Sequence, residues 1–173
     1  MRGDMTAATS LPSFSLRIAT PEDANYIRSA WRAAEKAANG HLERERFAQC
    51  HDAAMAAILG RESTVVTIAH PVADPEAIAG FLVYRPPVRV IRKCPSNVRE
   101  IGPAPVVYYI YVRDECRRLG IGRSLLGELL ERRDTVFTTR PAQVKHGDAW
   151  LRSPLPIPRA WQYVHRAQFV EIA

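Results

Sequence analysis

Apolar residues change their spacing several times along the chain, and each change predicts an element. Residues 14–20, FSLRIAT, alternate apolar and polar positions as a short strand does. Residues 20–37, TPEDANYIRSAWRAAEKA, switch to helical spacing. Thr20 suits the N-cap, Pro21 the first helical position, and Glu22 and Asp23 the positive end of the helix dipole, while Ile27 and Trp31 begin an apolar face. A second helix is predicted over residues 44–59, RERFAQCHDAAMAAIL, with Phe47, Met55, Ile58 and Leu59 on or near its buried side and Gly60 as its stop. Residues 63–70 (STVVTIAH) and 77–86 (AIAGFLVYRP) read as a hairpin of two strands around a turn at 71–76. Residues 88–105 carry prolines and a glycine and are expected to be mostly loop.

The second half begins with the most apolar stretch of all, VVYYIYV at 106–112, which predicts a central strand. A helix is expected over residues 121–133, with Ile121, Leu125, Leu126, Leu129 and Leu130 on one face and Glu128 four residues before Arg132 on the other. Residues 134–141 read as a strand. Prolines at 154, 156 and 158 forbid a long helix in the tail, where AWQYVHRAQFV, residues 160–170, reads as one last strand. The order β-α-α-β-β-β-α-β-β predicts an α/β (α+β) fold, a mixed central sheet flanked by helices. At 173 residues the chain is expected to form one domain over residues 14–173, after a loose N-terminal lead at 1–13.

Composition narrows this picture only a little. Hydrophobic residues make up 47% and charged residues 24%, enough for a sizeable core. No apolar run is long enough to span a bilayer and the first residues lack a signal-peptide core, so a cytoplasmic protein without membrane attachment is expected. Cys50, Cys94 and Cys116 are odd in number and widely spaced, which argues against a disulfide framework or a cysteine zinc site. The adjacent Cys50, His51 and Asp52 point in different directions on a helix and cannot form a relay, so Cys50 is expected to be a buried packing residue. The formal charge of +6 favours anionic partners. Residues 85–99 concentrate Arg85, Arg89, Arg92, Lys93 and Arg99 without an acid. They read first as a solvated hairpin extension; contact with nucleic acid or an acidic acceptor is the sharper alternative, without the interleaved aromatics of a base-stacking platform.

One stretch carries chemistry: RRLGIGRSLL, residues 117–126, between the central strand and its helix. Gly120 and Gly122 let the free N–H groups of the first helical turn approach a ligand without Cβ interference. Arg117, Arg118 and Arg123 add charge that an anion would compensate. The parts make a cradle for a phosphate or pyrophosphate. No G-K-[ST] follows, so this is not a P-loop, and the third glycine of the dinucleotide fingerprint is missing. A helix-turn-helix reading as a DNA-binding module needs a preceding helix, whereas a strand is predicted there.

The pattern resembles the acyl-CoA-binding motif of the GNAT N-acetyltransferase superfamily, Gln/Arg-x-x-Gly-x-Gly/Ala between a central strand and a helix. Here it reads Arg117-Arg118-Leu119-Gly120-Ile121-Gly122, and LRIATPEDANYI looks like a typical opening of that family; the resemblance spans residues 16–140. It implies acetyl-CoA as acyl donor, an amine as acceptor, and a GNAT-like domain. It also implies that the amides of residues 117–124, Arg117, Arg118, Leu119, Gly120, Ile121, Gly122, Arg123 and Ser124, surround the pyrophosphate. The backbone of Ile110 and Val112 would pair with the pantetheine arm in a splay between two parallel strands. Where many members carry a catalytic carboxylate on the central strand, this chain has Tyr108, the candidate catalytic residue, with Glu100 ahead of the strand. Where members carry a Gly-Phe pattern after a helical tyrosine, this chain has Tyr163 and His165 among prolines, read as strand residues. The departures keep open a catalytically inactive protein that binds CoA or a partner. The acceptor is not named by the sequence, and neither is the oligomeric state.

Overall fold

The computed structural model describes residues 13–38, 44–94, 97–131, 136–138, 143–146, 149–152, 161–163 and 169–171. The β-branched and aromatic stretches assemble edge to edge. Strand β1 (Phe14–Ile18) pairs antiparallel with β2 (Val65–Pro71), and β2 with β3 (Gly80–Cys94). The long β3 pairs antiparallel with β4 (Asn97–Val112). Strand β5 (Val136–Thr138) lies parallel to β4, and β8 (Trp161–Tyr163) parallel to β5. A separate hairpin joins β6 (Gln143–His146) to β7 (Ala149–Arg152), and β9 (Phe169–Glu171) returns to the far arm of β3. The sheet is therefore mixed, in the order β1-β2-β3-β4-β5-β8.

Consecutive strand residues face opposite sides of a sheet, and the helices divide accordingly. Ile68, Phe81, Val83, Val106 and Tyr109 pack with Ile27 and Trp31 of α1 (Ala24–Ala38) and Met55 and Ile58 of α2 (Arg44–Leu59). Their neighbours Ala69, Leu82 and Val107 pack with Ile121, Leu125, Leu126 and Leu129 of α3 (Ile121–Glu131). The Trp31 indole stacks on the Tyr109 ring, centroids 4.7 Å apart and nearly parallel at 8°. That stack pins α1 to the middle of β4. Among the described residues no helix is long and apolar enough to cross a membrane.

The start of α1 forms as its sequence predicts. A 3-10 turn, Pro21–Asp23, leads into the helix, and Asp23 reaches back to accept the Thr20 N–H at 2.7 Å. Arg17 of β1 donates to both oxygens of the same carboxylate, at 2.6 and 2.9 Å. The Arg17 guanidinium holds the Asp23 carboxyl at about 2, well below its ordinary 3.8, against the opposing pull of burial.

Three expectations need correction. Residues 88–105 are not loop: β3 and β4 continue as paired arms to Cys94 and Asn97. The valines and isoleucines there keep strand character, and the prolines fall where the register shifts, Pro86 and Pro87 between Arg85 and Val88, and Pro103 between the partners of Val88 and Val90. A missing N–H does no harm at a bulge. Glu100 accordingly lies within β4, opposite Ile91, rather than ahead of it. The single last strand is two: β8 joins β5 while β9 joins β3. These partners flank β4 on opposite sides, so one straight strand cannot reach both. Finally, Cys50 is exposed. The buried stripe of α2 runs through Met55 and Ile58, and Phe47 stacks on His51 along it, leaving Cys50 a helical step to one side. The expected Glu128–Arg132 pair, the lead at 1–12 and His165 lie outside the described residues, while α3 is interrupted at Gly127 (φ 34°, ψ −119°).

The lowered Asp23 value has a pH signature. The unfolded carboxyl ionises near 3.8 and the folded one near 2, so the ion pair contributes its full stability above about pH 4 and loses it as pH falls toward 2. Asp23→Asn should cost on the order of 2 kcal/mol at pH 7. The gap between variant and wild type in urea melts should close through pH 4 to 2; a gap that is constant across that range would refute this account.

Candidate functional site

β4 has unequal neighbours. On the β3 side it is paired along nearly its whole length, whereas the described pairing to β5 covers only Val106 and Val107. Successive strand residues direct their N–H and C=O groups to alternate sides. The Arg113 N–H donates to the Ala79 carbonyl at 2.9 Å, toward the β3 side. Tyr111 and Tyr109 follow the same side, so the peptide groups of Ile110 and Val112 point to the other edge, past the last described pair with β5. Between the two regions the register slips: Val83 faces Tyr109 while Tyr84 faces Val107, which leaves Tyr108 as the extra residue of a bulge. Bulges add twist and end regular pairing.

Beyond Val112 the chain turns sharply. A 3-10 turn, Asp114–Cys116, is closed by the Arg117 N–H donating to the Asp114 carbonyl at 3.2 Å. Arg117 is extended, Arg118 is left-handed at φ 64°, and Gly120 is left-handed at φ 81°. A Cβ on Gly120 would meet nothing within 4 Å, so the space before the helix is an open hollow. The first bond of α3 runs from the Ser124 N–H to the Gly120 carbonyl at 3.0 Å. The amides of Ile121, Gly122 and Arg123 precede it and have no intrahelical acceptor. They stand at the positive end of the helix, next to the open edge of β4. Close approach of helix and sheet depends on Gly80, where a Cβ would lie 2.6 Å from the Tyr111 carbonyl oxygen and 3.3 Å from Ile121 Cγ2.

The sequence-predicted residues therefore lie along one line, from Tyr108 through Ile110 and Val112 to residues 117–124. Their parts differ. Ile121 is buried under the helix, which leaves only its backbone to the hollow, and the Ser124 amide is taken within α3, which leaves its hydroxyl. Arg117 pairs with Asp114 at 2.6 Å, both side chains exposed, and Arg113 pairs with Glu115. Arg118 and Arg123 have no acidic partner among the described residues and carry the uncompensated charge.

Sequence reasoning missed a second group at the other end of the line. Tyr108 is only 6% exposed, and its hydroxyl accepts a hydrogen bond from Arg61 Nη1 at 3.3 Å. Arg85, 5% exposed in an apolar strand, donates from Nη2 to Ser63 Oγ at 2.7 Å. Only a charged residue within FLVYR hinted at this. Tyr26, on α1, is pushed up to about 12, first by burial and then by the neighbouring Tyr111 hydroxyl.

No protein-family model matches the sequence, and no curated protein matches it. Solved structures do match the fold. A presumed acetyl transferase from Pyrococcus furiosus is 17% identical, over 69% of this chain and 73% of that chain, with a TM-score of 0.50. A protein described as histone acetyltransferase HPA2 and related acetyltransferase, from Corynebacterium glutamicum, is 16% identical over 69% and 71%, also with a TM-score of 0.50. The chain has the GNAT fold that its motif implied.

Arg118 pays a local strain for its position, since a left-handed conformation costs a non-glycine residue about 1 kcal/mol. Arg118→Gly should leave stability unchanged or raise it by up to about that much in denaturant melts. A clear loss of stability would show that the arginine side chain, rather than the turn, holds the loop.

Proposed function

We propose that the protein is an acyl-CoA-dependent N-acyltransferase that moves an acetyl group from acetyl-CoA to an amine. The observation that carries this reading is the continuity between the peptide groups of Ile110 and Val112, which have no strand partner on the β5 side among the described residues, and the hollow at Gly120. An extended amide-bearing arm fits the first as a partial strand, and a pyrophosphate fits the second. The amides of Ile121, Gly122 and Arg123 would donate to it, and Arg118 and Arg123 would offset its charge. Leu119 and the Ser124 hydroxyl would border the same hollow, beside Arg117, whose guanidinium is tied to Asp114. When bound, acetyl-CoA supplies an acyl group activated as a thioester.

Transfer forms one C–N bond and breaks one C–S bond, and the attacking amine must be neutral. Residues 105–112 of β4 include no carboxylate. Tyr108, at the bulge, occupies the place that the resemblance assigns to the base, and its hydroxyl accepts a hydrogen bond from Arg61. In this mechanism Tyr108 lines the site and water takes the proton. The lack of a carboxylate in residues 105–112 also favours a second reading, a protein that binds acetyl-CoA without turning it over.

Acetyl-CoA should raise the melting temperature; at a hundred times Kd the gain is about 2.7 kcal/mol. Gly122→Glu should abolish the rise, because it puts bulk and negative charge where the pyrophosphate sits. No shift with any acyl-CoA would sink the proposal. A shift without turnover in a broad amine screen would select the second reading.

With an active acceptor in hand, the rate should climb with pH toward the amine's own value, near 10 for a lysine-like amine. Tyr108→Phe should cost less than about tenfold in kcat. A loss of two orders of magnitude, about 2.7 kcal/mol of barrier, would give the Tyr108 hydroxyl a direct chemical role.

A further inference from the structure

The turn that leads into the hollow carries anions of its own. Asp114 and Glu115 lie in the 3-10 turn directly after β4, and Arg117 closes it. Arg117 Nη2 bonds Asp114 Oδ1 at 2.6 Å, and Arg113 pairs with Glu115. Arg118 and Arg123, both exposed, have no acidic partner among the described residues. The arginines before and inside the motif are thus treated differently. For Arg117 the Asp114 carboxylate does what a phosphate oxygen would do, since it offers an anionic oxygen to the guanidinium fork.

Two features make this pair exchangeable. Both side chains are largely exposed, 64% for Arg117 and 80% for Asp114, and an ion pair of that kind shifts an equilibrium by about fivefold at most. The turn, moreover, is held without it. The Arg117 N–H donates to the Asp114 carbonyl at 3.2 Å, the Cys116 N–H to the Arg113 carbonyl at 2.9 Å, and the Arg113 N–H to the Ala79 carbonyl at 2.9 Å. All three bonds are main chain, so the Arg117 side chain can leave Asp114 while the turn stays closed. An anion arriving beside Arg117 meets a carboxylate that occupies the guanidinium and also repels the newcomer.

We propose that Asp114 is an internal competitor for the pyrophosphate of acetyl-CoA. It holds Arg117 in the free protein, releases it when the cofactor binds, and recaptures it as CoA leaves. The idea rests on the cofactor site of the acyltransferase reading and names a control on it. Product CoA carries the same pyrophosphate as acetyl-CoA, so a cradle without such a brake would hold the product as firmly as the donor. Asp114 lowers the affinity for both and speeds release.

The test titrates the full chain with acetyl-CoA and with CoA by calorimetry, and follows CoA dissociation by stopped flow. Asp114→Asn should tighten both ligands about three- to tenfold, chiefly through slower dissociation. Glu115→Gln removes the same charge one residue away and leaves the Asp114–Arg117 pair in place, so it should change Kd by about twofold or less. In an Arg117→Gln background, Asp114→Asn should likewise gain about twofold or less, because the captured guanidinium is gone. An unchanged or weaker affinity in Asp114→Asn overturns the proposal. So does an equal gain from Glu115→Gln, or a full gain in the Arg117→Gln background, either of which would reduce Asp114 to one negative charge among others. Should Arg117→Gln bind too weakly to titrate, the comparison with Glu115→Gln decides. Binding by the wild type with no gain in Asp114→Asn sinks this inference alone and leaves the cofactor site standing. No binding of any acyl-CoA by wild type or variant removes the acyltransferase reading and this inference with it.

Discussion

The one-sided support of β4 is the constraint from which the site follows. A strand can offer main-chain groups to a ligand only if something else keeps it extended. Here β3 supplies that support through the antiparallel ladder, while β5 is described against only two residues. Side chains complete the clamp: Trp31 stacks on Tyr109 from one face, and Ile121 and Leu125 pack on the other. The edge at Ile110 and Val112 can thus stay straight where no neighbouring strand is found among the described residues. Full pairing with β5 would consume the same peptide groups.

The turn from β4 into α3 follows from the same geometry. The chain must reverse within a few residues so that the helix can lie back over the sheet, and it does so through two left-handed residues, Arg118 and Gly120. The helix then sits close because Gly80 leaves room beneath Ile121. The hollow, the row of amides and the open edge are consequences of one compact reversal. Strain at Arg118 is modest and is outweighed by the buried contacts of Ile121, Leu125, Leu126 and Leu129 with the sheet.

Local signals in the sequence made much of this legible. Thr20 and Pro21 mark the start of α1, the predicted limits of α2 coincide with the observed Arg44–Leu59, and the glycine pair marks the strand-to-helix reversal. What sequence patterns missed depends on pairing between distant residues. Prolines in 88–105 suggested loop because their tolerance depends on the partner strand's register. The split between β8 and β9 depends on which strands stand on either side of β4. Cys50 and His51 are adjacent, and the stripe through Phe47 and Met55 decides that the histidine turns inward. The bonds from Arg61 to Tyr108 and from Arg85 to Ser63 join residues far apart in sequence, which meet only because β3 lies against β4 and the α2–β2 turn reaches both strands.

The prolines of the long hairpin have a kinetic consequence. A hairpin of this length could in principle zip up in several alignments, and a one-residue slip would turn every inward side chain outward. Pro86, Pro87 and Pro103 cannot donate to a ladder, so an alignment that moves them out of the two register shifts loses bonds at each. The native alignment is the one in which all three fall at shifts. Nascent hairpins that start out of step are therefore short-lived and reopen, which lets this chain search for its longest strand pairing with few lasting errors.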